Sequence, residues 1–362
     1  MESPEILPEL ARASTLPGSF YTSQQMFDRV REKVFARSWQ WIGSPDAVRE
    51  PGEVLPLTFM EGLLNEPLLL SRDAVGDMHC LSNVCTHRGN LLVQERGKCP
   101  AIRCKYHGRR FGLDGTLQHM PEFEGVEDFP SAADHLPSLP LARLGPMLFT
   151  SLAPSLSAAD WLRPVAERLA WMPFDQFRLD SSRTRDYPLN AHWALYCDNY
   201  LEGFHIPFVH PGLNAQLNYS EYETHVFPHG SLQIGIAREG ETNVFDLPAS
   251  SPDYGKRIVA YYYFLFPNLM LNFYPWGLSL NVVRPRGIDK TSVLYLAYVW
   301  KPERLQHDTY EGLHRTEMED EAIVEMVQKG IGSRLYDRGR YSVAREAAVH
   351  GFHAQIAAHL HS

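Results

Sequence analysis

No stretch of this 362-residue chain is apolar and unbroken for long enough to span a bilayer. Its most apolar region, residues 261–283, is interrupted by Pro267, Asn268, Asn272, Pro275 and Gly277, a pattern of strands separated by turns. A basic surplus is lacking too. The formal net charge of -9 argues against nucleic acid or an anionic membrane as a main partner, because both need clustered Lys and Arg. The opening residues Met1-Glu2-Ser3-Pro4-Glu5 have neither the basic start nor the apolar stretch of a secretory signal, and the expected location is cytoplasmic. No G-x-G-x-x-G follows a strand-like run, so any nicotinamide chemistry must reside on another polypeptide. Cysteine is scarce and odd in number: Cys80, Cys85, Cys99, Cys104 and Cys197 favour metal or catalytic use over a disulfide framework.

What is present fits a folded protein of about two domains. With 44% hydrophobic and 21% charged residues, neither disorder nor a fibrous repeat fits. Residues 22–39 read as a helix, with Thr22 or Ser23 as cap and Met26, Phe27, Val30, Val34 and Phe35 at helical spacing. Short apolar runs between Gly and Pro turns follow over residues 41–154 and predict a small all-β domain. Beyond it, helices are expected at 158–171, 191–204, 310–329 and 342–359. Strands are expected at 258–266, 269–274, 278–283 and 291–300, rich in aromatic and β-branched residues. The fold class is therefore α+β. Residues 1–40 form a helical segment packing on a second domain, 155–362, in which helices flank an antiparallel sheet.

Within the β domain, Cys85-Thr86-His87 is followed after sixteen residues by Cys104-Lys105-Tyr106-His107. Two thiolates and two imidazoles are offered in two matched loops. Zinc usually draws on a C-x2-4-C pair, whereas this spacing suits a Rieske two-iron two-sulfur centre, with Cys85 and Cys104 on one iron and His87 and His107 on the other. Neutral imidazoles remove negative charge from one iron, so such a cluster accepts an electron more readily than an all-cysteine one. Gly89, Gly97, Gly108, Gly112 and Gly115 allow the backbone to wrap closely. Cys80 and Cys99 fall outside the pattern and read as small buried hydrophobes.

A second constellation spans residues 198–211. On a continuous helix Asp198, Glu202 and His205 would share one face at i, i+4 and i+7, and Pro207 would end the helix so that His210 turns back towards His205. Two histidines five apart are more often ordinary surface or core residues. Beside a Rieske motif, however, they lack only a carboxylate to complete a two-His-one-carboxylate iron site. That acid is sought in a later helix, among Glu317, Glu319, Asp320, Glu321 and Glu325, most of which would form a solvated face.

These segments, Cys85 to Gly89, Cys104 to Gly108 and Asp198 to Pro211, resemble the large (alpha) subunit of Rieske non-haem iron oxygenases. The similarity is nearest to the choline, betaine and carnitine monooxygenase branch. It extends through Gly212-Leu213, Tyr222-Glu223-Thr224, Glu319-Asp320 and Val327-Gln328-Lys329-Gly330, and so covers nearly the whole chain. The resemblance implies a helix-grip catalytic domain after a Rieske domain. It implies that His205, His210 and Asp320 bind a mononuclear Fe(II). Glu202 matches an acid that links a mononuclear-iron histidine to a Rieske histidine of the neighbouring subunit, here His107, in a homotrimer. A separate reductase of flavin or ferredoxin type would supply electrons from NAD(P)H. One departure is Arg109, where many relatives carry Trp.

The expected reaction is O2-dependent hydroxylation or N-demethylation of a small quaternary-amine-like substrate. Tyr261, Tyr262, Tyr263, Phe264, Phe266, Phe273, Tyr274 and Trp276 could supply an aromatic cage for it, although period-two alternation turns about half of such a stripe away from any pocket. Hydroxylation or dealkylation of an aromatic or other small organic acid is the alternative. A purely electron-transferring protein is a third reading, and it leaves His205, His210 and Asp320 without a purpose.

Overall fold

A computed structural model describes residues 3–305 and 307–361. It divides into two compact units, Trp39–Pro154 and the combination of Met1–Ser38 with Ser155–Ser362.

The unit 39–154 is built from three small antiparallel sheets. The largest pairs Glu53–Phe59 with Glu66–Arg72 and Met78–Ser82, and its alternating side chains feed two apolar clusters, one around Phe59, Leu68, Leu70 and Leu148, the other around Val54, Leu69, Leu81 and Phe111. Cys85 and Cys104 belong to the second cluster. Cys80 packs in the first, as a small hydrophobe should, and Cys99 lies half-buried against the second.

The other unit holds eight α-helices among the described residues: α1 (Gly18–Thr22), α2 (Gln24–Lys33), α3 (Ala158–Arg168), α4 (Trp193–Tyr200), α5 (Ile206–Val209), α6 (Pro211–Gln216), α7 (His307–Ile331) and α8 (Ala347–His361). Ser23 caps α2 by accepting from Met26 N–H, and Ser157 caps α3 by accepting from Asp160 N–H. The opening helix is shorter than its apolar periodicity suggested, because Phe35–Arg37 tightens into a 3-10 turn.

Seven antiparallel strands form one sheet: β1 (Arg178–Leu189), β2 (Glu223–Phe227), β3 (Gly230–Ile236), β4 (Ile258–Leu265), β5 (Leu269–Tyr274), β6 (Gly277–Gly287) and β7 (Lys290–Val299). Their spatial order is β1-β7-β6-β5-β4-β3-β2. After β1 the chain crosses the sheet through α4, α5 and α6 to the far edge, then meanders back strand by strand. This crossing lays α4 to α6 over one face, where α7 packs against α4 and α6. The expected α+β class, with helices on an antiparallel sheet, is what the chain adopts. Strands β1, β2 and β3 were not anticipated. The first reads Arg-Leu-Asp-Ser-Ser-Arg-Thr-Arg-Asp-Tyr-Pro-Leu, an edge strand whose register shifts between Asp180 and Arg185, so its charged residues face solvent without an apolar alternation.

Candidate metal centres

In the unit 39–154 the two motif loops repeat one backbone design. Cys85 N–H donates to Asn90 C=O and Cys85 C=O accepts from Gly89 N–H; Cys104 N–H donates to Arg109 C=O and Cys104 C=O accepts from Gly108 N–H. Each tight turn needs a left-handed residue four positions after its cysteine, supplied by Gly89 at φ +69° and Gly108 at φ +76°. Four donors emerge as two pairs. The imidazoles meet Nδ1 to Nδ1 at 3.1 Å, and the two thiols contact each other. Burial works to raise the Cys104 pKa, but the N–H groups of Tyr106 and His107, the Cys85 thiol and the Asn90 amide, 3.6 Å from Sγ, outweigh it and favour the thiolate. Paired rather than converging donors suit two irons bridged by sulfides better than one tetrahedral zinc.

Arg109 is buried behind these loops. Its guanidinium donates to Thr86 Oγ1 at 3.0 Å and to Asp134 Oδ1 at 2.6 Å, and stacks near the rings of Phe111, Phe123 and Phe129. It thus braces the residue between Cys85 and His87.

The second constellation assembles differently from its helical reading. Helix α4 ends at Tyr200, so Asp198, Glu202 and His205 do not share a helix face. Gly203 lies three residues beyond that end, and a Cβ there would approach the Tyr222 ring to 3.1 Å. Asp198 points away to His353 at 2.8 Å and Tyr21 at 2.9 Å. Pro207 does not terminate a helix; it sits in the first turn of α5, where its missing N–H costs nothing. That single turn brings His210 back over His205, ring centroids 5.0 Å apart.

His205, His210 and Asp320 each offer one ligand atom, all within 4.8 Å of one another, the one such three-residue group among the described residues. Asp320 Oδ1 lies 3.0 Å from His210 Nε2 and 3.5 Å from His205 Nε2. Both rings present Nε2 to the same point because both Nδ1 atoms are taken: His205 by Glu202 at 2.7 Å, His210 by Glu319 at 2.7 Å. Glu202 also accepts the N–H groups of Phe204 and His205, which fixes its carboxylate at the turn. Asn199 donates to Asp320 Oδ1 at 2.9 Å. Burial works to lower the pKa of His210, yet the carboxylates of Asp320 and Glu319 outweigh it and raise it. The roles of Glu319 and Asn199 were not legible in the sequence, since each depends on a contact between α7 and the 199–210 segment.

A cavity of about 480 Å³ opens on these three residues. Of the eight aromatics named from the sequence, Tyr262, Tyr274 and Trp276 line it, with Tyr274 and Trp276 stacked at 5.5 Å. Tyr261 and Tyr263 project from the other face of β4 to Asp253 and Pro164, Phe273 packs with Phe174 on that same side, and Phe264 and Phe266 pack on Phe352 of α8. Glu317, one helical turn before Asp320 and only 2% exposed, lines the same cavity. Tyr196 and Tyr295 donate to its Oε2; burial pushes its carboxyl up to about 8 even so.

The family description Rieske [2Fe-2S] domain matches residues 38–130, and Ring hydroxylating alpha subunit (catalytic domain) matches residues 169–362, more than half of the chain. The chain belongs to the Rieske ring-hydroxylating oxygenases. Membership makes it an oxidoreductase and implies a Rieske cluster and a mononuclear iron. Among relatives, the chloroplastic choline monooxygenase of Arabidopsis thaliana is 31% identical over 96% of this chain and 83% of its own length. The carnitine monooxygenase oxygenase subunit of Escherichia coli (strain K12) is 28% identical over 97% of this chain and 92% of its own. Among solved structures, a quaternary ammonium Rieske monooxygenase superposes with a TM-score of 0.76 at 25% identity, covering 98% of this chain and 99% of that one. Naphthalene 1,2-dioxygenase from Rhodococcus sp., at 18% identity and a TM-score of 0.70 over 95% of this chain and 93% of its own, shares the fold. Among the described residues no helix is long and apolar enough to cross a membrane.

Proposed function

We propose that this Rieske oxygenase is a monooxygenase that hydroxylates or N-demethylates a small quaternary amine, with Cys85, His87, Cys104 and His107 holding the cluster and His205, His210 and Asp320 holding the iron. The observation that carries the reading is the single cavity on which two Nε2 atoms, one carboxylate oxygen and the Tyr262, Tyr274 and Trp276 wall all open. Iron held by His205, His210 and Asp320 would supply O2 activation for C–H hydroxylation, and a cluster held by Cys85, His87, Cys104 and His107 would supply the electrons. The chain's own residues orient and shield. Glu202 and Glu319 hold the two rings in one tautomer, Asn199 fixes the Asp320 carboxylate, and the aromatic wall keeps water from the reacting carbon. Where the hydroxylated carbon bears nitrogen, the product collapses to an aldehyde and an amine.

The same reading takes residues 41–154 as the Rieske domain, and residues 155–362 with the packed segment 1–40 as the catalytic domain. It takes Glu202 as the acid through which electrons arrive from His107 of a neighbouring subunit in a homotrimer. A separate NAD(P)H-dependent reductase reduces the cluster, and the protein works in the cytoplasm. Support comes from the Glu202 contact with His205 and from the absence of a nucleotide fingerprint. A second reading, hydroxylation or dealkylation of an aromatic or other small organic acid with no ammonium group, would use Arg315, which also lines the cavity, to meet the carboxylate. Product analysis with a panel of quaternary amines and aromatic acids, using a generic reductase, decides between them. Aldehyde and amine from the quaternary amines are expected; turnover of aromatic acids alone would overturn the leading reading.

A further inference from the structure

Glu317 is an acid that the iron site does not use. Its backbone lies on α7 three residues before Asp320, so both carboxyls rise from one helix face towards the same cavity. Its environment is unusual for an acid. The side chain is buried, Oε2 meets the hydroxyls of Tyr196 at 2.7 Å and of Tyr295, and those two hydroxyls meet each other at 2.7 Å. Three oxygens thus form a closed triangle with only two hydroxyl protons to share, and both are drawn to Oε2 when the acid is ionised. Oε1 accepts no hydrogen bond, and a cation beside the carboxyl would favour its ionised form against the burial that raises its pKa.

A buried carboxyl with one oxygen unsatisfied is costly, and burial of this kind is retained where a partner completes it. No side-chain cation supplies that partner: among the described residues, Glu317 takes part in no ion pair. The cavity that Glu317 lines is the place where a cationic ligand would supply it. A permanently charged ammonium whose nitrogen carries only carbon has no N–H to donate, so it is recognised by negative charge and by aromatic faces rather than by hydrogen bonds. The two tyrosine hydroxyls fix the acid without requiring a donor from the ligand, and Tyr262, Tyr274 and Trp276 line the same cavity. We propose that Glu317, steadied by Tyr196 and Tyr295, is the counter-charge that seats a substrate's trimethylammonium head group and makes the cavity select cations over neutral molecules of the same shape. Three residues, about 4.5 Å of helical rise, separate Glu317 from Asp320. A head group seated on Glu317 therefore brings the carbons attached to its nitrogen nearest to the iron ligands, and a carbon bonded to nitrogen becomes the oxidised one.

The inference rests on the quaternary-amine reading, and the experiment separates their failures. Metal-loaded wild-type protein is titrated calorimetrically with choline, carnitine and glycine betaine, and the tightest binder is compared with its neutral analogue, in which carbon replaces the nitrogen. The same pair is then measured on E317Q, E317D and Y295F, each checked for iron content. Wild type should prefer the cation by about tenfold or more, the scale of one desolvated charge contact. E317Q should bring the ratio close to one with iron retained, E317D should keep most of the preference because it keeps the charge, and Y295F should fall between. An unchanged ratio in E317Q would overturn the assignment, as would equal losses for cation and analogue, which would mean Glu317 only shapes the cavity. Failure of wild type to bind any of the three amines would overturn the substrate reading itself and the inference with it.

Discussion

The two proposed metal centres of this chain are made by opposite means. In the unit 39–154, four donors come from two five-residue loops whose cysteine and glycine hydrogen bonds close each loop on itself, so each motif carries its own geometry. In the catalytic unit, His205 and His210 sit on a broken helix, and Asp320 arrives from α7 more than a hundred residues later, once the meander from β2 to β7 has returned across the sheet. A local site depends on turns; an assembled site depends on every contact that holds α7 over the 199–210 segment. The first should therefore fail by loss of a ligand, the second also by loss of a brace.

The sharpest break is Cys104→Ser. A hydroxyl cannot replace the thiolate, so the red-brown colour should vanish and iron should fall from about three to about one per chain, while the catalytic unit stays folded. Changing Cys99, which lies beside the same core, should leave the spectrum intact. Next comes Glu202→Gln. Both metals should remain, but reoxidation of the reduced cluster with substrate and O2 should slow by about tenfold or more, read by stopped flow, if electrons enter through this acid. An unchanged rate would remove the main support for the cross-subunit route.

Glu319→Gln sharpens the contrast from the other side, since it touches no metal. Because Glu319 orients His210 through Nδ1, its loss should weaken iron binding by about 10- to 100-fold in a chelator competition without affecting the cluster. A smaller effect concerns acid. His192 is fully buried among Phe20, Tyr21, Phe27 and Trp193, and burial alone drives its pKa down to about 3. The folded form holds the ring neutral while the unfolded chain protonates it near pH 6.5, so its stabilising share is whole above that pH and is lost as pH falls towards about 3. Linkage puts the loss at up to roughly 5 kcal/mol. No histidine of the unit 39–154 is buried. The catalytic unit should accordingly melt first on acidification, and His192→Asn should flatten that dependence.

The same contrast explains what could be read from the amino-acid sequence. The Cys85 and Cys104 loops were legible because spacing and glycine placement are their whole design. The aromatic strands β4 to β7 were legible from composition, within a few residues at their ends. Strand β1 was not, because an exposed edge strand carries no apolar alternation. A continuous helix through Glu202 was expected from i, i+4 spacing, while Gly203 was the available signal that α4 stops short. Glu319 and Glu317 looked like members of an acidic helix face; only the packing of α7 turns one to His210 and buries the other.

Everything assembled around the cavity turns on one carboxylate. In Asp320→Ala, metal analysis together with the electron paramagnetic resonance of the dithionite-reduced protein should show about one iron in three lost, the Rieske signal unchanged and turnover abolished. Full iron content in that variant would contradict the account and move the ligand to Glu317, Glu319 or Glu321.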